Sequence, residues 1–109
     1  MLLYNVTVKI DKDVESEWLE WMRTKHIPDV LNTGQFVHSR ISRLLEQPQD
    51  DDATYVIQYQ CENMENYNSY IEKYAPSFRD EFNHRFKDKF VLFRTLMEVV
   101  GENAGLGIS

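Results

Sequence analysis

The sequence predicts an α+β domain in which four strands and two helical regions follow the order βαββαβ. Three observations lead to this prediction: strict alternation of apolar and polar residues near the start of the chain, helical spacing of large apolar residues in two later regions, and β-branched or aromatic runs around them. This order is the split βαβ plan, in which a four-stranded antiparallel sheet carries both helices on one face. For 109 residues we expect one domain over 1–100 and a flexible C-terminal tail over 101–109.

The first strand and the first helix are predicted from their different periodicities. From Leu2 to Ile10 apolar residues occupy every second position, which gives this strand one core-facing side. Asp11 or Asp13 can cap the following helix. We expect Pro28 to weaken that helix and Gly34 to end it in a left-handed conformation. Its apolar stripe would contain Val14, Trp18, Trp21, Met22 and the stem of Lys25.

The remaining elements are predicted from strand-like runs and a second helical pattern. The second strand would span residues 35–46, the third 53–61 and the last 90–100. The acidic run at 49–52 is expected to form a solvated hairpin loop, because it lacks the spacing of a calcium-binding loop. Asn63 would cap the second helical region, which Pro76 interrupts. Its apolar stripes would be Met64, Tyr67, Ile71 and Tyr74, then Phe78, Phe82 and Phe86.

Composition and charge exclude several classes of function. The chain is 42% hydrophobic, which excludes disorder, and its net charge of −6 disfavours nucleic-acid binding. The single cysteine, Cys61, rules out an internal disulfide and a multi-thiolate metal site, and we interpret it as a buried hydrophobic residue. The sequence has no signal-peptide pattern and no run of ~20 apolar residues, so we expect a cytoplasmic protein that does not associate with a membrane.

The sheet face that points away from the helices predicts a homodimer. We assign five large apolar residues to this face, and their burial is worth ~1.5–3 kcal/mol each, or about 8–15 kcal/mol as an upper limit. A domain with ~5–15 kcal/mol of net stability rarely leaves that unused, so we expect two-fold pairing with a second copy. The alternative is an open sheet whose polar residues are solvated. The predicted interface comprises Leu3, Asn5, Phe36, His38, Arg40, Leu44, Leu92, Arg94, Leu96 and Glu98.

Four short segments carry a resemblance to known proteins: YNVTV (4–8), WLEWM (18–22), HIPDVL (26–31) and FRT (93–95). With the βαββαβ order and the GQF entry (34–36) into the second strand, they resemble a small family of unknown function in the dimeric α+β barrel superfamily of ferredoxin-like domains. The resemblance covers roughly residues 1–100 and implies two sheets face to face in a dimer. It leaves the activity open, because this superfamily contains cofactor-free monooxygenases, isomerases, haem-degrading enzymes and proteins without an assigned activity.

His26 is the first candidate for a chemical role. The resemblance implies a ligand cleft between the helices and the sheet, and a histidine late in the first helix can point into its mouth. A side chain with an unperturbed pKa of ~6.5 can act there as a general base or a hydrogen-bond donor. Alternatively, His26 is structural and forms a hydrogen bond to a backbone carbonyl that Pro28 leaves free.

Five further residues share the parity of the core-facing positions and are candidate ligand-binding residues: Tyr4, Ser39, Arg43, Tyr55 and Tyr59. Because an isolated buried charge is costly, Arg43 would hold an anionic ligand at a pocket rim, pair with a helix carboxylate, or reach solvent. The tyrosines are otherwise core residues with a hydroxyl group. On the other sheet face, His38, Arg40 and Arg94 would form interfacial salt bridges or, alternatively, an anion site inside the barrel.

A haem-degrading relative would require a histidine on the second helix, for which His84 is available, and an asparagine on the first strand, for which Asn5 is available. However, His84 falls opposite the phenylalanine stripe and Asn5 falls on the face away from the helices. Such a relative would also be expected to carry a tryptophan on the third strand, where this chain has Tyr55 or Tyr59. Haem binding is therefore a minor alternative.

We therefore expect a homodimer that binds or transforms an apolar or aromatic small molecule without a tightly bound cofactor or metal. As an enzyme it would oxygenate or isomerise that molecule, with His26 transferring a proton and Tyr59 or Arg43 orienting the substrate. The alternative is a non-catalytic dimer that binds a ligand or a protein partner. A filled cleft would favour this alternative, and a cleft of ~300 Å³ or more with converging polar groups would favour the enzyme.

Overall fold

The computed structural model describes residues 1–46, 48 and 52–107, and these residues form the predicted ferredoxin-like domain. The strands are β1 (Leu2–Ile10), β2 (His38–Arg43), β3 (Ala53–Cys61) and β4 (Phe90–Glu98). The helices are α1 (Glu15–Trp21), α2 (Ile27–Leu31), α3 (Met64–Lys73) and α4 (Ala75–Arg85). A 3₁₀ turn (Lys12–Val14) precedes α1, and a π turn (Met22–His26) joins α1 to α2.

All strand pairs are antiparallel, and the order across the sheet is β2-β3-β1-β4. The first and third strands have their predicted bounds, whereas β2 is shorter than 35–46 and β4 is shorter than 90–100. The predicted acidic loop at 49–52 lies outside the described residues except for Asp52, whose carboxylate accepts a hydrogen bond from the Lys12 N–H at 3.4 Å. Residues 101–107 contain neither helix nor strand. In the described part of the chain, no helix is long and apolar enough to cross a membrane.

Two predicted helix ends, at Asn63 and Gly34, are confirmed, whereas the predicted Asp11 cap acts on the 3₁₀ turn and α1 itself begins without a side-chain cap. The Asp11 carboxylate accepts a hydrogen bond from the Asp13 N–H at 2.8 Å and so caps the 3₁₀ turn. The Asn63 side chain caps α3 by accepting a hydrogen bond from the Asn66 N–H at 2.8 Å. Gly34, which follows α2, has a φ of 80°, a left-handed conformation that a residue without a Cβ adopts at little cost.

Pro28 does not break the first helix. A proline inside a regular helix has no N–H to donate, and its ring clashes with the carbonyl four residues earlier. Here the backbone widens into the π turn just before Pro28, where the Ile27 N–H bonds to the Met22 carbonyl, and the helix then continues through α2. Pro76, by contrast, lies in the first turn of α4, where the missing N–H has no cost.

The core lies between the helices and one face of the sheet. From the sheet, alternate residues of β1 and β3 are buried, namely Leu2, Tyr4, Val8, Ile10, Tyr55, Ile57, Tyr59 and Cys61. From the helices, the core contains Trp18, Trp21, Met22, Ile27, Val30, Tyr70, Ala75, Phe82 and Phe86. Met64, which was predicted to join this core, is exposed because it lies at the start of α3. The Lys25 ammonium lies in solvent and pairs with Asp29.

The register of β4 corrects one part of the predicted dimer interface. Residues directly opposite each other in an antiparallel pair lie on the same face of the sheet. In this register, Leu92, Arg94, Leu96 and Glu98 are opposite the helix-facing residues of β1. Their assignment to the face away from the helices is therefore wrong. Apolar residues occupy both parities of β4, so its sequence alone does not determine which parity faces the core.

Phe36 was also assigned to the wrong side of the sheet. It precedes β2 rather than belonging to it, because β2 begins at His38. The Phe36 side chain is 5% exposed and packs on the helix side, with ring centroids 5.9 Å from Tyr4, 5.2 Å from Tyr59 and 4.8 Å from Tyr70. It is a core residue.

The face of the sheet opposite the helices, here called the open face, nevertheless carries exposed apolar side chains. The members of the predicted interface that lie on it are Leu3, Asn5, His38 and Arg40. Leu44 follows the end of β2 and is exposed.

From β4, Val91, Phe93 and Met97 lie on the open face with exposed fractions of 72%, 60% and 39%. The open face is thus apolar along β4, although through residues other than those predicted.

Candidate functional site

A cavity lies between the helices and the sheet, and its lining comes from elements far apart in the sequence. The sheet contributes Tyr4, Val6, Ile57, Tyr59, Leu92 and Arg94. The helices contribute Met22, His26, Tyr70, Phe78, Arg79 and Phe82. The void totals ≈ 420 Å³ with its open mouth, of which ≈ 40 Å³ is wide enough for the centre of a water molecule. Its enclosed part therefore has room for a few waters or one small chemical group, and a larger ligand would extend through the mouth.

His26 lies in the wall of this cavity among aromatic rings. Its ring stacks on Trp21 at a centroid distance of 5.0 Å and meets Phe78 and Phe82 edge-on at 5.9 and 5.8 Å. Burial lowers the pKa of His26 to about 4, so the imidazole is neutral at neutral pH. Its Nδ1 is buried and has no hydrogen-bond partner among the described residues, so this atom does not make the expected bond to a carbonyl. An imidazole in this state can exchange a proton with a bound molecule.

Two arginines give the cavity a positive charge. Arg79 on α4 is half-buried, and its Nη2 donates a hydrogen bond to the Tyr4 hydroxyl at 3.3 Å. Arg94 on β4 is more exposed and lines the same cavity. No Asp or Glu contributes to the lining, and neither guanidinium forms an ion pair with another described residue. The cavity is therefore opposite in sign to the whole chain, whose net charge is −6.

Three tyrosines bring hydroxyl groups to the same cavity. Burial raises the pKa of Tyr59 and of Tyr70 well above the usual value, so both side chains stay protonated at neutral pH. Tyr4 stacks with Phe36 and with Tyr59, in both cases at a centroid distance of 5.9 Å. A protonated phenol donates one hydrogen bond, so these residues can orient an oxygen atom of a ligand without adding charge.

Three of the predicted ligand-binding residues lie outside the cavity. The Tyr55 hydroxyl donates a hydrogen bond to the Glu15 carboxylate at 2.6 Å and accepts one from Arg43 Nε at 3.0 Å. Arg43 Nε also lies 4.0 Å from Glu15 Oε2, so Arg43 makes the predicted pairing with a helix carboxylate while most of its side chain reaches solvent. Ser39 lies opposite Tyr59 in the sheet, and its buried hydroxyl has no partner among the described residues. The other two predicted ligand-binding residues, Tyr4 and Tyr59, line the cavity together with His26.

The residues that a haem-degrading protein would use do not come together. His84 is exposed on α4 and does not line the cavity. Asn5 lies on the open face, where its amide donates a hydrogen bond to the Thr7 hydroxyl at 3.3 Å. The sheet thus separates these two residues, and we do not propose a haem site. Within the described ranges, no three His, Cys, Asp or Glu side chains are grouped so that they could hold a metal ion.

Sequence reasoning missed Tyr70 and Arg79, and it placed Arg94 on the wrong face of the sheet. The signal for Arg79 was its position next to Phe78, at the border of the predicted phenylalanine stripe. Tyr70 lies one position before Ile71 and continues the helical spacing of the predicted stripe equally well. No local pattern marks Arg94, because its face depends on the register of β4.

Solved structures share this fold. The chain is similar to HapK from Hahella chejuensis (13% identity, TM-score 0.70), with 98% of this chain and 100% of that chain covered. It is also similar to a dimeric ferredoxin-like protein from an uncultured marine organism (14%, 0.69), with coverage of 96% and 100%. A third similar structure is SnoaB, a cofactor-independent oxygenase from Streptomyces nogalater (11%, 0.67), with coverage of 93% and 95%. Identities this low establish the fold and not the activity.

The sequence itself assigns the family. Among curated proteins, none matches this chain. The sequence model of one protein family matches residues 1–100, and this range includes the four strands and the four helices described above. This agrees with the resemblance carried by the YNVTV, WLEWM, HIPDVL and FRT segments. The chain belongs to the family described as a domain of unknown function, DUF4286.

Proposed function

We propose that the chain forms a homodimer through its open face, and that each protomer binds and transforms a small apolar or aromatic molecule in the cavity. The proposed reaction begins with proton transfer to His26 and uses no tightly bound cofactor. The observation that supports this proposal best is the state of His26. Its imidazole is neutral and lies in a wall of apolar rings, and its buried Nδ1 has no hydrogen-bond partner among the described residues.

Because burial lowers the pKa of His26 to about 4, the imidazole can take a proton from the substrate only if the anion that remains is stabilised beside it. The proton moves to the imidazole, and the electron pair stays on the substrate as an enolate or carbanion. An imidazolium in an apolar wall is costly, but the new anion beside it offsets that cost, and the positive charge of the cavity stabilises the anion. The anion then reacts with dioxygen in an oxygenase or regains the proton at another carbon in an isomerase. SnoaB, described as a cofactor-independent oxygenase, supports the first outcome.

The test compares two histidines of this chain. Native mass spectrometry of freshly purified protein, under gentle and then harsh activation, identifies any bound molecule and supplies the candidate substrate. We expect His26→Asn to lower turnover of that substrate by ~10²-fold or more, and His84→Asn, at an exposed position outside the cavity, to leave it unchanged. Equal turnover in both variants would refute the role of His26.

The dimer is supported by the apolar side chains of the open face and by a similar structure that is described as dimeric. Burial of exposed side chains such as Val91, Phe93 and Met97 is worth roughly 1.5–3 kcal/mol each. We expect Phe93→Asp to give a folded monomer in sedimentation analysis, because a charge cannot be buried there without a partner. Met64→Asp places the same charge on another exposed apolar position, at the start of α3, and should leave the dimer intact. An unchanged mass for Phe93→Asp would contradict the proposed interface.

The small enclosed volume favours a second candidate function, a non-catalytic dimer that binds a ligand weakly or acts through a protein partner. Only ≈ 40 Å³ of the cavity admits the centre of a water molecule, which leaves little enclosed space for a substrate. This function predicts an intact dimer that binds small molecules at most weakly and turns none of them over. Turnover that depends on His26 would exclude it.

A further inference from the structure

We propose that the cavity takes a molecule that is already an anion when it binds, an aromatic or otherwise apolar carboxylate, and that Arg79 and Arg94 hold the carboxylate group. This inference rests on the proposed function for its site and names the class of ligand. It assigns both arginines a binding role in addition to the stabilisation of the anion that proton transfer to His26 would form.

Arg79 and Arg94 are distinguished by lining one cavity that has no acidic lining residue, since exposed basic residues such as Arg23 also form no ion pair with a described residue. Outside the cavity, Arg43 lies 4.0 Å from Glu15, and Lys89 lies 4.0 Å from Asp11. Lys25 likewise pairs with Asp29. Arg79 and Arg94 form no such pair with a described residue, although the chain has 18 acidic and 12 basic Asp, Glu, Lys and Arg residues. Two cations in one cavity without a counter-charge favour an anionic ligand.

The two arginines come from different layers of the fold. Arg79 lies on α4 and Arg94 on β4, opposite Val6 of β1, so the cavity has one guanidinium from the helices and one from the sheet. The charges of both act on the same side chain, Tyr70, whose pKa each of them lowers against the larger effect of burial. Their fields therefore overlap within the cavity.

The chemistry of the lining selects a carboxylate attached to an apolar body. A planar guanidinium presents paired N–H donors that match the two oxygens of a carboxylate. One contact of Arg79, from Nη2 to the Tyr4 hydroxyl, is already made, which fixes the side chain and leaves its other donors available. Met22, Phe78 and Phe82 supply the apolar part of the wall, against which an aromatic or aliphatic body can pack.

The test uses aromatic acids and their neutral amides as probes. Benzoate and naphthoate are titrated into the full-length protein, followed by benzamide and naphthamide, and binding is measured by NMR. We expect each carboxylate to bind at least ~10-fold more tightly than its amide, because its hydrogen bonds to the guanidinium groups are charge-assisted. Arg79→Met and Arg94→Met should each reduce this preference several-fold without weakening amide binding. Arg79→Lys should restore part of the preference.

Arg23→Met is the matched control, because Arg23 is exposed and does not line the cavity. It removes the same charge and should leave the preference for carboxylates unchanged. If acid and amide bind equally, or if the preference survives both cavity variants, the anion inference is overturned while the cavity remains a ligand site. If no probe binds at millimolar concentration, the proposed small-molecule function fails, and this inference fails with it.

Discussion

Trp21 and His26 stack on each other at a centroid distance of 5.0 Å and an interplanar angle of 30°, although they are five positions apart in the sequence. In a regular α-helix, residues three or four apart are neighbours on the surface, and residues five apart are not. The π turn closes hydrogen bonds between residues five apart and so brings the two rings to one side of the helix. The turn that accommodates Pro28 therefore also directs His26 toward the aromatic wall of the cavity.

The stability of the protein should depend on pH through His26. Between about pH 6.5 and about pH 4, unfolded His26 binds a proton while folded His26 stays neutral, because burial lowers its pKa. The unfolded state thus binds more protons, and the free energy of unfolding should fall by up to about 3 kcal/mol as the pH is lowered through this window.

Urea unfolding at fixed protein concentration, repeated across this pH window, measures the effect. His26→Phe keeps an aromatic ring but cannot titrate, so its unfolding free energy should lose this part of the pH dependence. His84→Asn, which removes an exposed histidine, should keep the wild-type curve. Parallel curves for wild type and His26→Phe would show that His26 is not buried as a neutral base.

Phe36 should contribute to the stability of the core. Because it is buried against Tyr4, Tyr59 and Tyr70, Phe36→Ala is expected to lower the free energy of unfolding by ~3–5 kcal/mol. Its neighbour Val37 is 54% exposed, and Val37→Ala should change that free energy by less than about 0.5 kcal/mol. Urea unfolding compares the two variants, and similar values for both would contradict the position of Phe36 in the core.

Gly34 should contribute to stability only through its left-handed backbone conformation. Its φ is 80°, and an added Cβ would meet nothing within 4 Å, so Gly34→Ala introduces strain without a steric clash. We expect a loss of ~1–2 kcal/mol in the free energy of unfolding. Gly101 also has open space around it and lacks a positive φ, so Gly101→Ala serves as the control and should be nearly neutral. A neutral Gly34→Ala would argue against the left-handed end of α2.

Tyr55 should affect stability and not ligand binding. Its hydroxyl joins Glu15 to Arg43, and this network lies outside the cavity. Tyr55→Phe should lower the free energy of unfolding by ~1–3 kcal/mol, since both hydrogen bonds involve charged partners. Binding of the aromatic probes should remain at the wild-type level when followed by NMR, whereas a weaker affinity would extend the ligand site to this end of the sheet.

Much of the fold could be predicted from local patterns. Alternation defined β1, a β-branched and aromatic run defined β3, and the Asn63 cap, Gly34 and Pro76 marked helix ends, because each of these signals acts within a few residues. The cavity could be predicted only in part. His26 was identified from its position late in the first helix, but Arg79 and Tyr70 were missed because their roles depend on packing against a distant strand.

The sequence by itself determined the βαββαβ order, the helix-facing side of β1 and β3, and the family of the chain. The tertiary structure decided which side of β4 faces the helices, because both parities of that strand are apolar and only its register with β1 distinguishes them. That choice placed Arg94 in the cavity and Phe93 on the open face. It also decided how His26 is oriented, because the π turn that brings His26 beside Trp21 does not follow from the regular helical spacing by which the sequence was interpreted.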